Sequence, residues 1–494
     1  MSKKKNVTII GAGPAGLTAA SELLKLDKFK VNIVEKDSVV GGLSRTTEFN
    51  GCKFDIGPHH FITESPKIEK WWLDLMQGEE SRGNEFKVLR RFTRIYYEKH
   101  FFNYPLQALN VIKGLSFGSC FRSVLSYIWR RFFPIKNAKT FQDYVTNQFG
   151  HRLFSIFFKT YTEKLWGIPC NEISSDWASQ RIKGFSMSKA VFYAFFGKWF
   201  KKNAPRTLCD KFYYPQLGAG TLWEKVADNI QKDSGTIDLN EEVISVEHKN
   251  NKIVAVCTCN TSKATNRRMP EVARKLKEHS GDYFLSTMPL KKLVLALDPI
   301  APKPVMSAAN RLLYRGLITV NFVVNKKDIC PDHWLYIHEK EVAMVRIGNM
   351  SNFSLKMADT PEHTALSLEY FTFTNSAFWK KSNDKLIKLA KSEIEKIGIL
   401  DRELILSSMV LKEAEAYPLY DEDYQTSLKV VLNYLSRFSN LQLMGRNGLH
   451  RYNNMDIAML SSMDAVDKIV QDINKNKDKN KIRRDDISSG YAQL

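Results

Sequence analysis

The chain has 494 residues, carries 73 Lys and Arg against 53 Asp and Glu for a formal charge of +20, and is 44% hydrophobic. A single hydrophobic core stops growing at roughly 250 to 300 residues, so this length predicts two or three domains, and the apolar content excludes disorder over most of the chain. The basic balance favours an anionic small-molecule substrate or an anionic surface; with no zinc-finger, helix-turn-helix or RNA-recognition signature, nucleic acid is not an expected partner.

Val7 to Ile10 is too short an apolar run for a signal peptide, and no run reaches the roughly 20 apolar residues of a membrane span. The expected location is the cytoplasm, with at most peripheral contact at the inner face of a membrane. Seven scattered cysteines without a CxxC pair argue against a disulfide framework or zinc site. The histidines show no metal-ligand spacing, so no metal is expected.

In chain order, residues 6–10 read as a buried strand, 16–26 as a helix and 31–35 as a second strand, a βαβ unit of a parallel sheet covered by helices. Between the first strand and the helix lies GAGPAG, with Gly11, Gly13, Ala15 and Gly16 where a pyrophosphate can rest on backbone N–H groups. Glu35, followed by Lys36, closes the second strand and is placed to accept hydrogen bonds from a ribose diol. From about 105 to 205 the chain turns to aromatic-rich amphipathic helix. One stripe holds Phe121, Val124, Leu125, Ile128, Trp129 and Phe132; another holds Phe192, Phe195, Phe196 and Trp199. These stripes are expected to pack inside a helical domain; the alternative is a basic, aromatic face resting on a membrane. Strands return over 236–259, 282–288 and 312–375, helices follow near 383–397 and 456–472, and a charged tail from 474 is expected to be disordered.

The fingerprint alone does not separate FAD from NAD, but the segments after it resemble one group of flavoproteins. VVGGLSRT, with Gly42, Leu43 and Arg45, and FDIGPHHF, with Pro58 and His59, resemble the amine oxidase, protoporphyrinogen oxidase and UDP-galactopyranose mutase group of glutathione-reductase-like proteins. NEEVISVE with Val243, DYFLSTMP with Thr287, and LMGRNGLHRYNNMDIAML with Gly445, Arg446, Asn454, Met455 and Asp456 resemble its remaining FAD-facing segments. The resemblance implies an α/β fold: a Rossmann-type FAD-binding domain from 1–104, 206–300 and 406–473, an inserted helical substrate domain over 105–205, and a mixed-sheet substrate domain over 301–405. In that group the start of the last helix faces the flavin, and its positive end would stabilise anionic reduced flavin.

Within the group, several features are similar to the mutase. FKTYTEKLWG resembles its uridine-holding segment, which implies substrate-binding roles for Tyr161 and Trp166; His59, Arg346 and Tyr417 fall on its flavin- and diphosphate-side positions. Its next histidine is Ile62 here, and its second diphosphate arginine has only Arg181 and Lys183 nearby. The resemblance implies reduced FAD acting on a nucleotide- or lipid-linked sugar without net redox change, with NAD(P)H as an optional reductant. A net FAD-dependent oxidoreductase is the alternative, favoured by the missing arginine, and a non-catalytic flavoprotein scaffold is the third reading. Oligomeric state is left open.

Overall fold

A computed structural model of the chain describes residues 4–76, 86–104, 106, 108–177, 211–262 and 276–490. They fall into two compact units: Met1–Gly42, Trp223–Asn310 and Leu428–Leu494 form one, and Leu43–Leu222 with Arg311–Ser427 form the other. Residues 43–104, expected in the nucleotide domain, thus cluster with the second unit. The reason lies in pairing: Thr93–Tyr97 runs beside Trp334–Ile337 and joins the large sheet of that unit.

The first unit is built on a five-stranded parallel sheet in the order Leu441–Leu443, Tyr283–Ser286, Lys5–Ile10, Phe29–Val34, Thr236–Asp238. Val7, Thr8, Ile9 and Ile10 are all buried, the continuous pattern of a strand covered on both faces. Helix Pro14–Leu24 starts with proline at its first turn and buries Leu17, Ala20 and Leu23, since proline's fixed φ suits that position. A four-stranded sheet of Leu276–Ser280, Lys252–Asn260, Glu241–Lys249 and Leu297–Asp298 completes the unit. The last helix, Met455–Gly490, packs on Pro14–Leu24. It continues through the segment from 474 for which charge-rich composition predicts disorder; no glycine or proline interrupts residues 456–489, and Lys, Arg and Asn-rich sequence carries no strong helix breaker.

The second unit carries a seven-stranded mixed sheet in the order Ile405–Pro418, Tyr314–Val324, Thr364–Thr372, Arg346–Asn349, Trp334–Ile337, Thr93–Tyr97, His100–Asn103. Ile318, Val320, Phe322, Leu366 and Leu368 form its core with Leu386, Ala390 and Ile394 of helix Asn383–Lys396. That helix is capped by Ser382, whose hydroxyl accepts from the Lys385 N–H.

The helices of this unit include Phe117–Phe132, Phe141–Phe149 and Thr160–Trp166. The expectation that the 121–132 stripe packs inside is overturned. Phe121, Val124, Leu125, Ile128, Trp129 and Phe132 are all exposed, while Ser123 is buried. The helix rests on its small-residue face: a Cβ at Gly150 would lie 2.7 Å from the Tyr127 nitrogen, and the Arg152 N–H donates to Ser126 Oγ at 3.1 Å. Serines permit a backbone approach that the large side chains would block. The stripe at 192–199 lies outside the described residues.

Candidate functional site

In the first unit the glycine turn is held by its neighbours. The Gly11 N–H donates to the Val34 carbonyl at 2.8 Å, the Gly41 N–H to the Ala12 carbonyl at 2.8 Å, and Thr287 Oγ1 to the Ile10 carbonyl at 2.8 Å. A Cβ at Gly16 would sit 1.9 Å from the Gly11 carbonyl oxygen, so only glycine fits where helix meets strand. Helix Pro14–Leu24 has no side-chain cap and no acidic residue in its first turn, leaving the donor set of an anion site. Glu35 accepts the Ala12 N–H at 2.7 Å and the Asp37 N–H at 2.9 Å. Burial raises its pKa and these bonds oppose the rise. Each carboxylate oxygen can accept a further hydrogen bond, so the residues fit a nucleotide with its ribose at Glu35 and its pyrophosphate at the helix start. Lys36, at the same strand end, is exposed and pairs with Asp37.

The same unit gathers the late segment. A Cβ at Gly445 would be 3.0 Å from that of Ala15. Arg446 donates from Nε and Nη2 to the Asn453 carbonyl at 3.1 and 2.7 Å, fixing the turn that ends at exposed Asn454 and buried Met455. Its guanidinium therefore positions the helix start. Asp456, buried, stands in the first turn of that helix, and its charge offsets the positive end that the sequence predicts there. Val243, half-buried, pairs with Thr258 across its hairpin.

In the second unit Leu43 is half-buried, and Arg45 is paired with Glu413, the two side chains 16% and 14% exposed. Its charge is thus compensated within the chain. Nearby, the fully buried Asp55 accepts from Thr46 Oγ1 at 2.6 Å, the Tyr214 hydroxyl at 2.7 Å and the Ala219 N–H at 3.1 Å. Burial pushes its carboxyl up to about 6 against those three donors. This network ties the hairpin of Thr46–Phe49 and Cys52–Asp55 to the glycine turn at 218–220.

The centre of the second unit is Arg346. Its strand lies antiparallel to Thr364–Thr372 with Arg346 directly opposite Glu369, and Nε donates to Glu369 Oε2 at 3.1 Å, with Nη2 closing on the same oxygen. The side chains are 14% and 0% exposed. Burial works to lower the arginine's pKa, but Glu369 and three tyrosines carry it well above the usual value. Burial also pushes the Glu369 carboxyl up while the guanidinium pulls it back; the bonding geometry and an arginine that does not lose its proton keep the pair ionised. Arg346 Nη2 also reaches the Tyr417 hydroxyl at 3.4 Å.

The GPHH loop closes on this pair. A Cβ at Gly57 would be 3.5 Å from Glu369 Oε2 and 3.8 Å from Arg346 Nη2. Pro58 and His59 follow, half-buried, with His59 Nε2 3.0 Å from the Ile56 carbonyl. Tyr161 stacks on His338 with centroids 5.1 Å apart and meets Tyr336 edge-on. Burial raises its hydroxyl pKa well above 10, with the Arg346 charge opposing. The structure thus brings Tyr161, Arg346, Tyr417 and the His59 loop together. Trp166 differs: it is 1% exposed among Trp177, Tyr417 and Tyr420, a support for Tyr417 rather than a surface for a base. Arg181 lies outside the described residues.

Sequence reasoning missed Glu369, Tyr336 and His338. Glu369 had a signal, since it is the one charge in ALSLEYFTF, and a carboxylate inside an apolar strand needs a buried partner. His338 has none in its local pattern.

The fold is that of the FAD-dependent flavoproteins with a Rossmann-like nucleotide domain. Residues 9–75 match the NAD(P)-binding Rossmann-like domain family. The structure of a reduced UDP-galactopyranose mutase aligns with a TM-score of 0.78 at 20% identity, over 95% of this chain and 96% of that one. A 4,4'-diapophytoene desaturase of Methylomonas is 35% identical over 98 residues, 20% of this chain and 19% of that protein. A probable UDP-galactopyranose mutase of Klebsiella pneumoniae is 23% identical over 253 residues, 50% of this chain and 58% of that protein. The matched stretches thus span from under a fifth to somewhat over half of those two relatives.

Proposed function

We propose that the protein is an FAD-dependent enzyme of UDP-galactopyranose mutase type, acting through reduced flavin on a sugar carried by a nucleotide or lipid diphosphate. The observation that carries the reading is the Arg346–Glu369 pair with the Tyr417 hydroxyl 3.4 Å from the guanidinium and Tyr161 beside it. Gly11, Gly13, Ala15, Gly16, Glu35 and Gly42 would hold the nucleotide end of the FAD. When bound, FAD supplies a ring able to bond to a substrate carbon or to exchange hydride with it.

The chain's own residues then do three things. Glu369 fixes the guanidinium plane, so the cation needs no reorganisation when negative charge develops on a departing oxygen. The Tyr417 and Tyr161 hydroxyls donate hydrogen bonds to the same anion, and burial keeps the Tyr161 hydroxyl protonated. Trp166 and His338 hold those two tyrosines from behind, which keeps the departing group close enough to return.

The second reading is a net oxidoreductase acting on an apolar substrate. It is supported by the local identity to the desaturase and by the internal neutralisation of Arg45. The experiment is anaerobic: the protein is reduced with dithionite and offered UDP- and dTDP-sugars, with ring form followed by chromatography. Isomerisation without a stoichiometric electron acceptor is the expected result. A protein that isomerises none of them, yet bleaches with a polyene and recovers in air, is an oxidoreductase.

A further inference from the structure

The helix Phe117–Phe132 is amphipathic in the wrong sense for a soluble surface. Its small face of Ser119, Ser123 and Ser126 turns inward, and its large apolar face turns out, with Phe117 88%, Trp129 62% and Phe132 75% exposed. Phe121, Val124 and Leu125 continue the patch and are exposed as well. Scattered exposed apolar residues are ordinary, but a contiguous aromatic patch on one helix marks an interaction surface.

Charge selects the occupant. From Lys99 to Gln142 the chain carries Lys or Arg at 99, 113, 122, 130, 131, 136 and 139, and no Asp or Glu at all. Lys113, Arg122, Arg131, Lys136 and Lys139 are exposed. Arg122 and Arg131 lie on the helix itself and are exposed beside the apolar face, so a second copy of the chain would set like charges against like there, which repulsion opposes. An anionic bilayer complements both properties at once: acyl chains take the aromatic face and phosphate headgroups take the cations. No described helix is long and apolar enough to cross a membrane; a 16-residue helix of this character lies in the interface plane.

We propose that Phe117–Phe132 is a membrane-docking helix that seats the second unit on an anionic lipid surface. The test uses the full chain, sedimented with phosphatidylcholine vesicles with and without phosphatidylglycerol. Binding is expected only with the anionic lipid, and it weakens as salt rises. Arg122→Glu with Arg131→Glu should lower the affinity at least twentyfold, from about fivefold per charge removed. Trp129→Ser with Phe132→Ser should lower it at least tenfold, because each ring leaves an apolar environment. These side chains are exposed, so flavin content and circular dichroism should not change in either variant. Failure to bind anionic vesicles, or binding that both double variants leave intact, overturns the proposal. So does a dimer in sedimentation velocity that the Trp129→Ser, Phe132→Ser variant converts to monomer, since a second copy then covers the face.

Discussion

Arg346 and Glu369 face one another in register across antiparallel strands, and the carboxylate aims the guanidinium at the Tyr417 hydroxyl. Removing one member of such a buried pair leaves an uncompensated charge, at a cost of about 3–5 kcal/mol. Glu369→Ala should therefore lower the unfolding free energy by roughly that amount. Arg346→Met with Glu369→Leu should recover most of it while leaving no turnover. Urea unfolding and steady-state rates on the same preparations separate the two effects. A stable, fully active double variant would remove this pair from the chemistry.

The nucleotide turn gives a sharper structural test. A Cβ at residue 16 meets the Gly11 carbonyl oxygen at 1.9 Å, and because that atom is backbone there is little room to relax. Gly16→Ala should purify with little or no FAD, judged by the ratio of flavin to protein absorbance. The second unit, whose core is separate, should keep its circular dichroism. Retention of a full complement of FAD would mean that the pyrophosphate does not sit at this helix start.

Asp55 sets a pH dependence whose sign can be worked out. Its folded pKa, about 6, lies above the ordinary 3.8 because burial disfavours the carboxylate. Its stability contribution is thus fully present below about pH 4 and is lost as pH rises through 6. The loss amounts to roughly 3 kcal/mol by linkage. Asp55→Asn lacks this titration, so the stability of the natural protein relative to the variant should fall between pH 4 and 7 and then level off. A difference that rises with pH would show that the three donors outweigh burial.

The βαβ unit, the glycine turn and the returning strand at 283–286 were legible because local periodicity and close-packing glycines encode them directly. Tyr161, Arg346 and Tyr417 were found by resemblance and do lie together. One expectation failed: the 121–132 stripe was read from its own segment, whereas its environment, like that of Arg45, is set by residues far along the chain. Glu413 neutralises Arg45 across 368 positions. Nothing local to the helix tells that Gly150 will press against its serine face. Periodicity finds an amphipathic helix; which face turns inward depends on what the fold brings to it.

Tyr161 distinguishes a supporting ring from a working hydroxyl. Its ring is held by His338 and Tyr336, contacts that Tyr161→Phe preserves, so the thermal midpoint should change little. Under the proposed function its hydroxyl donates to an anionic group, and a hydrogen bond to charge is worth about 1.5–3 kcal/mol. Turnover should accordingly fall roughly 10- to 150-fold. Because burial raises the hydroxyl's pKa well above 10, it stays protonated across pH 6–9. The ratio of natural to variant rates should then be flat over that range. A ratio that changes near neutrality would assign Tyr161 to proton transfer, and an unchanged rate would leave it as packing for the strand Trp334–Ile337, which lies beside that of Arg346.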